Sequence, residues 1–214
     1  MSRQPFVSVA GNIAVGKTTL TTIIADRLSW RPFFESVEDN PYLSDFYGDM
    51  KRWSFHLQIY FLSKRFMTQR EMASGNIPAV QDRTIYEDVE IFARSLYDMG
   101  NMSDRDWRSY KDLFYEMTSY LAKPALILYL KASTDTLMTR MKSRGRDYEK
   151  TVSPEYLHRL NMAYSRWVES AEDELNIVTV ETDGFNVYED EDGVEKILAK
   201  VRRECGLEQA ETVS

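Results

Sequence analysis

The stretch FVSVAGNIAVGKTTLTTIIADRL, residues 6–28, decides the fold. Its opening FVSVA is a short β-branched and aromatic run halted by Gly11, the pattern of a buried strand. Further on, Leu20, Ile23, Ile24 and Leu28 recur at helical spacing. Between them, Gly11-Asn12-Ile13-Ala14-Val15-Gly16-Lys17-Thr18 fits G-x-x-x-x-G-K-[ST], with a strand before it and a helix directly after. Glycines let backbone N–H groups converge on phosphate oxygens, and the helix N-terminus adds partial positive charge. Lys17 is expected to reach the β- and γ-phosphates and the Thr18 hydroxyl to join a Mg²⁺ shell. Residues 11–19, ending in Thr19, are therefore read as the binding loop for a nucleoside triphosphate.

Outward from this unit, strands and helices alternate. FFESV (33–37), introduced by Pro32, reads as a second strand. Trp53 to about Ala73 lacks Gly and Pro and carries apolar groups at helical intervals, a long helix ended by the turn SGNIP (74–78). PAVQDRT (78–84) is a third strand, followed by helical stretches over 86–97 and 104–121. ALILYLKA (125–132) is the clearest buried strand; helices over 134–143 and 154–173 and the strand NIVTVET (176–182) follow. A last helix, GVEKILAKVRRE (193–204), precedes a polar tail, so that about 206–214 is expected to be disordered. YEDEDG (188–193) reads as a solvated turn, not a metal site. Such alternation implies right-handed crossovers and a parallel sheet covered on both faces. The expected fold is α/β: a P-loop NTPase-like three-layer arrangement around a five-stranded parallel sheet. With 214 residues against ~150 per domain, and no repeat or linker, residues 1–214 are read as a single domain.

Composition removes several functions. One cysteine, Cys205, cannot form an internal disulfide, and two histidines, His56 and His158, exclude multi-histidine metal chemistry. The 27 basic and 34 acidic residues leave a net charge of −7, against a general binder of nucleic acid or membrane surfaces. No apolar run approaches the ~18 residues of a spanning helix, and the first strand leaves no room for a signal peptide. A cytoplasmic enzyme is expected.

The triphosphate alone does not define the reaction. Guanine-reading N-K-x-D is absent, and the one D-x-x-G lies in the acidic turn, which argues against a switch GTPase. In a parallel α/β sheet, ligands meet the carboxyl ends of the strands. There FFESV holds Glu35, and the third strand ends in Asp82-Arg83. A hydroxyl acceptor needs a proton acceptor beside its oxygen, which Glu35 could supply. Asp82 is the best candidate for the metal shell; Arg83 could hold Glu35 or the transferring oxygen, or form a structural salt bridge. Arg140-Met-Lys-Ser-Arg144-Gly-Arg146 carries four cations in seven residues. It is either a solvated helix end or a lid whose arginines clamp the γ-phosphoryl group, and the lid is preferred.

In this order, GNIAVGKT, FFESVEDNPY, FYGDMKRWSFHLQIYFLSKR, DRTIYED and RGRDYE resemble the deoxyribonucleoside kinases, especially bacterial deoxyadenosine/deoxyguanosine kinases, over about residues 5–182. The resemblance implies a five-stranded parallel sheet, usually in a homodimer built through a helix pair. It places Glu35 as the base for the 5′-hydroxyl, Arg83 beside it, and Asp82 at the metal, where some relatives have Glu. Tyr47 and Glu149 match the pair gripping the sugar 3′-hydroxyl, and Gln58 the glutamine on the base edge. Arg65 and Asp88 match a polar pair deeper in the base pocket, Phe92 an aromatic stacking on the base, and Arg140, Arg144 and Arg146 the lid arginines. Without the family, Gln58 and Arg65 could be solvent-facing partners, Asp88 a plain salt-bridge partner of Arg65, and Tyr47 and Phe92 core or rim aromatics. Trp53 and Phe55 are assigned to packing.

The implied reaction is transfer of the ATP γ-phosphate to a deoxyribonucleoside, a purine by likeness to the bacterial enzymes, for nucleotide salvage. Two alternatives stay open. A monophosphate kinase of the thymidylate kinase type shares the loop and the Asp-Arg strand end, but its dianionic acceptor would be repelled by Glu35 unless an arginine stood close by, and FFESVEDN contains none. A non-enzymatic nucleotide sensor would explain the loop but not Glu35 or the lid.

Overall fold

Continuous apolar runs such as β1 (Phe6–Gly11) and β4 (Leu126–Lys131) belong in a parallel sheet covered on both faces, and in a computed structural model both are buried almost throughout. The structure describes residues 4–35, 40–185, 187 and 189–207. With β2 (Arg31–Phe33), β3 (Ala79–Asp82) and β5 (Ile177–Glu181), the strands form one parallel sheet in the order β2-β3-β1-β4-β5. Val9 stands opposite Asp82 and Gly11 opposite Leu130, so the carboxyl ends of β1, β3 and β4 come level.

The phosphate loop leads into α1 (Lys17–Leu28), while α2 (Leu43–Gly48) and α3 (Met50–Ser74) follow β2. After β3, α4 (Ile85–Glu87) runs through a π-helical segment, Asp88–Ala93, into α5 (Arg94–Asp98), and α6 (Asp104–Thr118) precedes β4. Then come α7 (Thr134–Arg144), α8 (Pro154–Ala171) and α9 (Glu191–Glu204). The main core joins β1 and β4 to Leu20 and Ile24 of α1, Leu137 of α7, Leu157, Leu160 and Tyr164 of α8, and Leu198 of α9. A second core forms where Leu62 of α3 meets Ile85, Val89 and Tyr110. Phe55 packs there, and Trp53 packs on the Leu43–Phe46–Leu57 cluster.

The five-stranded parallel sheet matches the sequence reading; some boundaries do not. The second strand is Arg31–Phe33, not 33–37, because Arg31 pairs with Ala79 and Phe33 with Gln81. Pro32, read as an introduction, sits inside the strand, tolerated because β2 is at the sheet edge. Glu35 thus lies two residues beyond the strand; Ser36 and Val37 of the expected strand lie outside the described residues. The long helix starts at Met50, where the Asp49 side chain accepts from Arg52 N at 3.1 Å, and α2 was not anticipated. The acidic run opens α9: Asp190 caps Gly193 N at 2.8 Å, while its Tyr188 lies outside the described residues. At the other end Gly206 (φ +70°) donates to Arg203 O and Leu207 to Arg202 O, a closed helix terminus where a disordered tail was expected to begin. Residues 208–214 lie outside the described residues.

Candidate active site

The phosphate loop is shaped by its first glycine. Gly11 has φ +143°, and a Cβ there would sit 2.6 Å from Leu130 O and 2.9 Å from Val15 Cγ1, so only glycine fits. Lys17 Nζ, buried beneath the loop, donates to Gly11 O and Asn12 O at 2.9 Å each. Burial, helped by Arg83, lowers its pKa to about 8. Thr18 Oγ1 donates to Asp82 Oδ2 at 2.6 Å, while Asp82 Oδ1 is buried with no hydrogen-bond partner among the described residues. An orphaned carboxylate oxygen beside a hydroxyl fits a hard divalent cation such as Mg²⁺. The described residues hold no cluster of three His, Cys, Asp or Glu, so further ligands would have to be phosphate and water.

Two cavities meet at this loop. One, of about 470 Å³, is lined by Glu35, Tyr47, Gln58, Asp82, Arg83, Asp88, Phe92 and Glu149, with an apolar wall from Phe34, Leu43, Phe46, Leu57 and Phe61. The other, of about 640 Å³, lies over residues 14–20 and reaches Thr182–Phe185. Ala14, Lys17, Thr18, Arg144 and Arg146 line both. A group held by Lys17 from one side therefore faces whatever occupies the other.

Glu35 is clamped at the bottom of the first cavity. Its Oε1 lies 2.8 Å from Arg83 Nε and 3.0 Å from Arg65 Nη2. Burial pushes its pKa up, but Arg83, Arg65 and Lys17 outweigh it and hold the carboxyl at about 2. Arg65 also forks onto Asp88, Nε to Oδ2 at 2.6 Å and Nη2 to Oδ1 at 3.0 Å. Burial lifts Asp88 to about 6 against that pairing. Gln58, 2% exposed, has its Oε1 buried with no hydrogen-bond partner among the described residues. Arg83 has φ +76°, a left-handed posture uncommon for a bulky residue. Its guanidinium stacks 4.4 Å from the Phe92 ring centroid.

Placement differs from the sequence reading at several positions. Gln58 and Arg65 are buried, so neither is a solvent-facing partner. Arg65 is not part of the main cavity wall; it stands behind Glu35 and Asp88 and lines a small crevice. Arg140 lines only the loop-side cavity, donating to Val15 O at 2.9 Å, Thr182 Oγ1 at 3.1 Å and Thr182 O at 2.5 Å. Arg144 and Arg146 both pair with Glu149, the last residue of a 3₁₀ turn, Asp147–Glu149. The sequence argument that Glu35 has no arginine nearby fails, because the two that reach it come from α3 and the β3 end. They do not create a cationic pocket: Lys17, Arg65, Arg83, Arg144 and Arg146 are balanced by Glu35, Asp82, Glu87, Asp88 and Glu149.

Two residues at the site escaped the sequence reading. Glu87, fully buried, accepts from Gly11 N at 3.0 Å, Arg83 Nη1 at 3.2 Å, Thr84 N at 2.6 Å and Tyr164 Oη at 2.5 Å. Its signal was present: Thr84-x-x-Glu87 is a capping box. Tyr164 carried none, since its spacing on α8 matches that of core residues.

The chain matches the deoxynucleoside kinase family model over residues 7–206. It belongs to the deoxynucleoside kinase family. This kinase is 37% identical over 201 residues to the deoxyadenosine/deoxycytidine kinase of Bacillus subtilis, covering 93% of this chain and 92% of that one. It is 34% identical over 209 residues to the deoxyguanosine kinase of the same organism, covering 94% and 98%. Its fold superposes with a TM-score of 0.83, at 30% identity, on the M. mycoides deoxyadenosine kinase solved with dCMP and a flexible dCDP, covering 92% and 99%. The same enzyme with dATP bound gives 0.81 at 29% identity, covering 93% and 100%. The activity is phosphoryl transfer to a deoxynucleoside, and ATP is the family's donor. Neither a monophosphate kinase nor a nucleotide sensor is favoured.

Proposed function

We propose that this kinase transfers the γ-phosphate of ATP to the 5′-hydroxyl of a purine deoxyribonucleoside, deoxyadenosine or deoxyguanosine, in nucleotide salvage. The observation that carries the reading is the shared wall of the two cavities, with Lys17 and Thr18 between a loop-side pocket for the triphosphate and a pocket ending in Glu35. The nucleoside oxygen attacks phosphorus in line, the bond to the ADP oxygen breaks, and the hydroxyl proton passes to Glu35. A carboxyl held at about 2 is ionised at every working pH but weakly basic. It therefore orients the hydroxyl and takes its proton late, which suits the loose transition state of phosphoryl transfer. Arg83 holds Glu35, and Arg144 and Arg146 face the phosphoryl group from the lid. Thr18 and Asp82, with the triphosphate, would hold Mg²⁺, which would supply neutralisation of charge on the phosphate oxygens.

In the acceptor pocket, Tyr47 and Glu149 are assigned to the sugar 3′-hydroxyl, Gln58 to the base edge and Phe92 to the base face. Asp88 closes the deep end, held from behind by Arg65. Arg140 is assigned to the triphosphate side, through the loop carbonyl that it holds. A homodimer is supported by exposed apolar side chains on α3 and α6: Met67, Leu113 and Tyr115. A cytoplasmic location agrees with the lone cysteine and with the absence, among the described residues, of any helix long and apolar enough to cross a membrane.

The test is an initial-rate panel of the four natural deoxyribonucleosides and their 5′-monophosphates, with ATP and Mg²⁺. Phosphorylation of deoxyadenosine or deoxyguanosine, with none of the monophosphates, is expected. Faster turnover of a pyrimidine nucleoside overturns the purine assignment, and turnover of a monophosphate overturns the acceptor class.

A further inference from the structure

A capping box asks one thing of its glutamate: that a carboxylate oxygen accept the N–H of the capping residue. Glu87 Oε2 does this for Thr84 N at 2.6 Å. The other oxygen, Oε1, does much more. It collects Gly11 N at 3.0 Å, Arg83 Nη1 at 3.2 Å and Tyr164 Oη at 2.5 Å. These donors come from three separate segments: the first residue of the phosphate loop, the end of β3, and α8.

Tyr164 completes the knot. Its hydroxyl lies 2.8 Å from Gly11 O and accepts from Arg83 Nη1 at 3.1 Å. Neither residue lines a cavity, and both are wholly buried, so neither touches a ligand. Arg83, by contrast, lines the acceptor cavity and reaches Glu35 with its Nε. A guanidinium is a planar fork, so fixing Nη1 fixes the direction of Nε. The left-handed backbone of Arg83 needs such fixing from its surroundings.

We infer that Glu87 and Tyr164 are positioning residues that lock Arg83 to the phosphate loop, so that the Arg83–Glu35 pair keeps a set distance from the phosphate held by that loop. The inference rests on the role proposed above for the Arg83–Glu35 pair. Misplacement of a reacting group by an ångström costs about 10²-fold in rate, whereas binding made elsewhere is little changed. Glu87→Gln puts an amide N–H₂ against donors already aimed at that position and releases at least one of them.

The experiment is a double-mutant cycle of Glu87→Gln with Arg83→Ala, read as kcat and nucleoside KM separately on protein that melts cooperatively. Glu87→Gln alone is expected to lower kcat by roughly 10- to 100-fold with KM changed less than about threefold. In the Arg83→Ala background the same change should lower kcat by less than about twofold, because its route to the chemistry is already gone. Equal losses in both backgrounds, or a Glu87→Gln enzyme with wild-type kcat, overturn the inference. If Glu87→Gln fails to fold, Tyr164→Phe, which removes only a hydroxyl, takes its place in the cycle with the same criteria. A wild-type rate in Arg83→Ala alone overturns the role of Arg83, an outcome distinct from additive losses in the cycle.

Discussion

Two cations within 3.0 Å of one carboxylate oxygen make Glu35 an unusual base. Its strength lies in placement more than in affinity for protons, so removing the charge while keeping the shape should be costly. Glu35→Gln is expected to lower kcat by roughly 10²–10⁴-fold with a modest change in nucleoside affinity, and a near-wild-type rate would remove Glu35 from the chemistry. Lys17 offers a second test. Its folded pKa of about 8 lies below the model-peptide value, so the charged form is disfavoured by the fold until an anion arrives. Triphosphate raises that pKa again; binding near pH 8.5 should therefore take up a proton and binding near pH 6.5 should not, as calorimetry in buffers of different ionisation enthalpy would show. For the same reason Lys17→Met should abolish activity yet raise stability by on the order of 1–3 kcal/mol. Of the carbonyls that Lys17 serves, Asn12 O keeps Val15 N as a donor, whereas Gly11 O lies 2.8 Å from Tyr164 Oη, whose single proton goes to Glu87, which holds the gain toward the lower figure. A melting temperature below wild type would count against this. Lys17, Thr18 and Asp82 were legible because a motif or a strand end announces them. Glu87 was half legible, as a cap; its further contacts depend on which segments the sheet order brings together.

At the scale of elements, the segment from Asp82 to Asp98 concentrates the site. A capping box starts it, and a π-helical stretch carries Asp88 and Phe92, an irregularity often found where function sets side-chain direction. Packed on it, α6 delivers Tyr110, whose hydroxyl is buried with no hydrogen-bond partner among the described residues. Tyr110→Phe should thus raise stability by about 1 kcal/mol, measured by denaturant midpoint; a loss would mean that the hydroxyl has a partner such as water. On the other side of the sheet end, α8 braces the phosphate loop. Asn12 Nδ2 donates to Leu157 O and Asn161 Oδ1 at 3.0 and 2.7 Å, and Asn161 in turn holds Ala132 O. Helix periods and buried strands such as β4 were legible because burial dictates their composition. The end of β2 was not: Phe33, Phe34 and Val37 have the same propensity, and only pairing with Ala79–Gln81 decides where the strand stops.

For the whole molecule, balanced charge around the acceptor cavity matters as much as its shape. Five cations against five carboxylates leave no surplus for an acceptor already carrying phosphate, although the excess of acidic residues along the chain gave no hint of this. The apolar wall, with Phe34, Phe46 and Phe61, was invisible as a wall because those residues lie on three separate segments. Assembly is testable at the same scale. Sedimentation equilibrium should give twice the chain mass, and replacing Leu113 and Tyr115 by Glu should give one; a wild-type monomer would remove the homodimer from the proposal.

The φ of +76° at Arg83 has an evolutionary corollary. Glycine would occupy that backbone geometry with less strain, by on the order of 1 kcal/mol. That relief is outweighed, because glycine would leave Glu87 buried without a cation and Glu35 with one fewer, at a cost of about 3–5 kcal/mol. Random libraries screened only for heat resistance should therefore retain arginine there, so that durability and turnover select the same side chain.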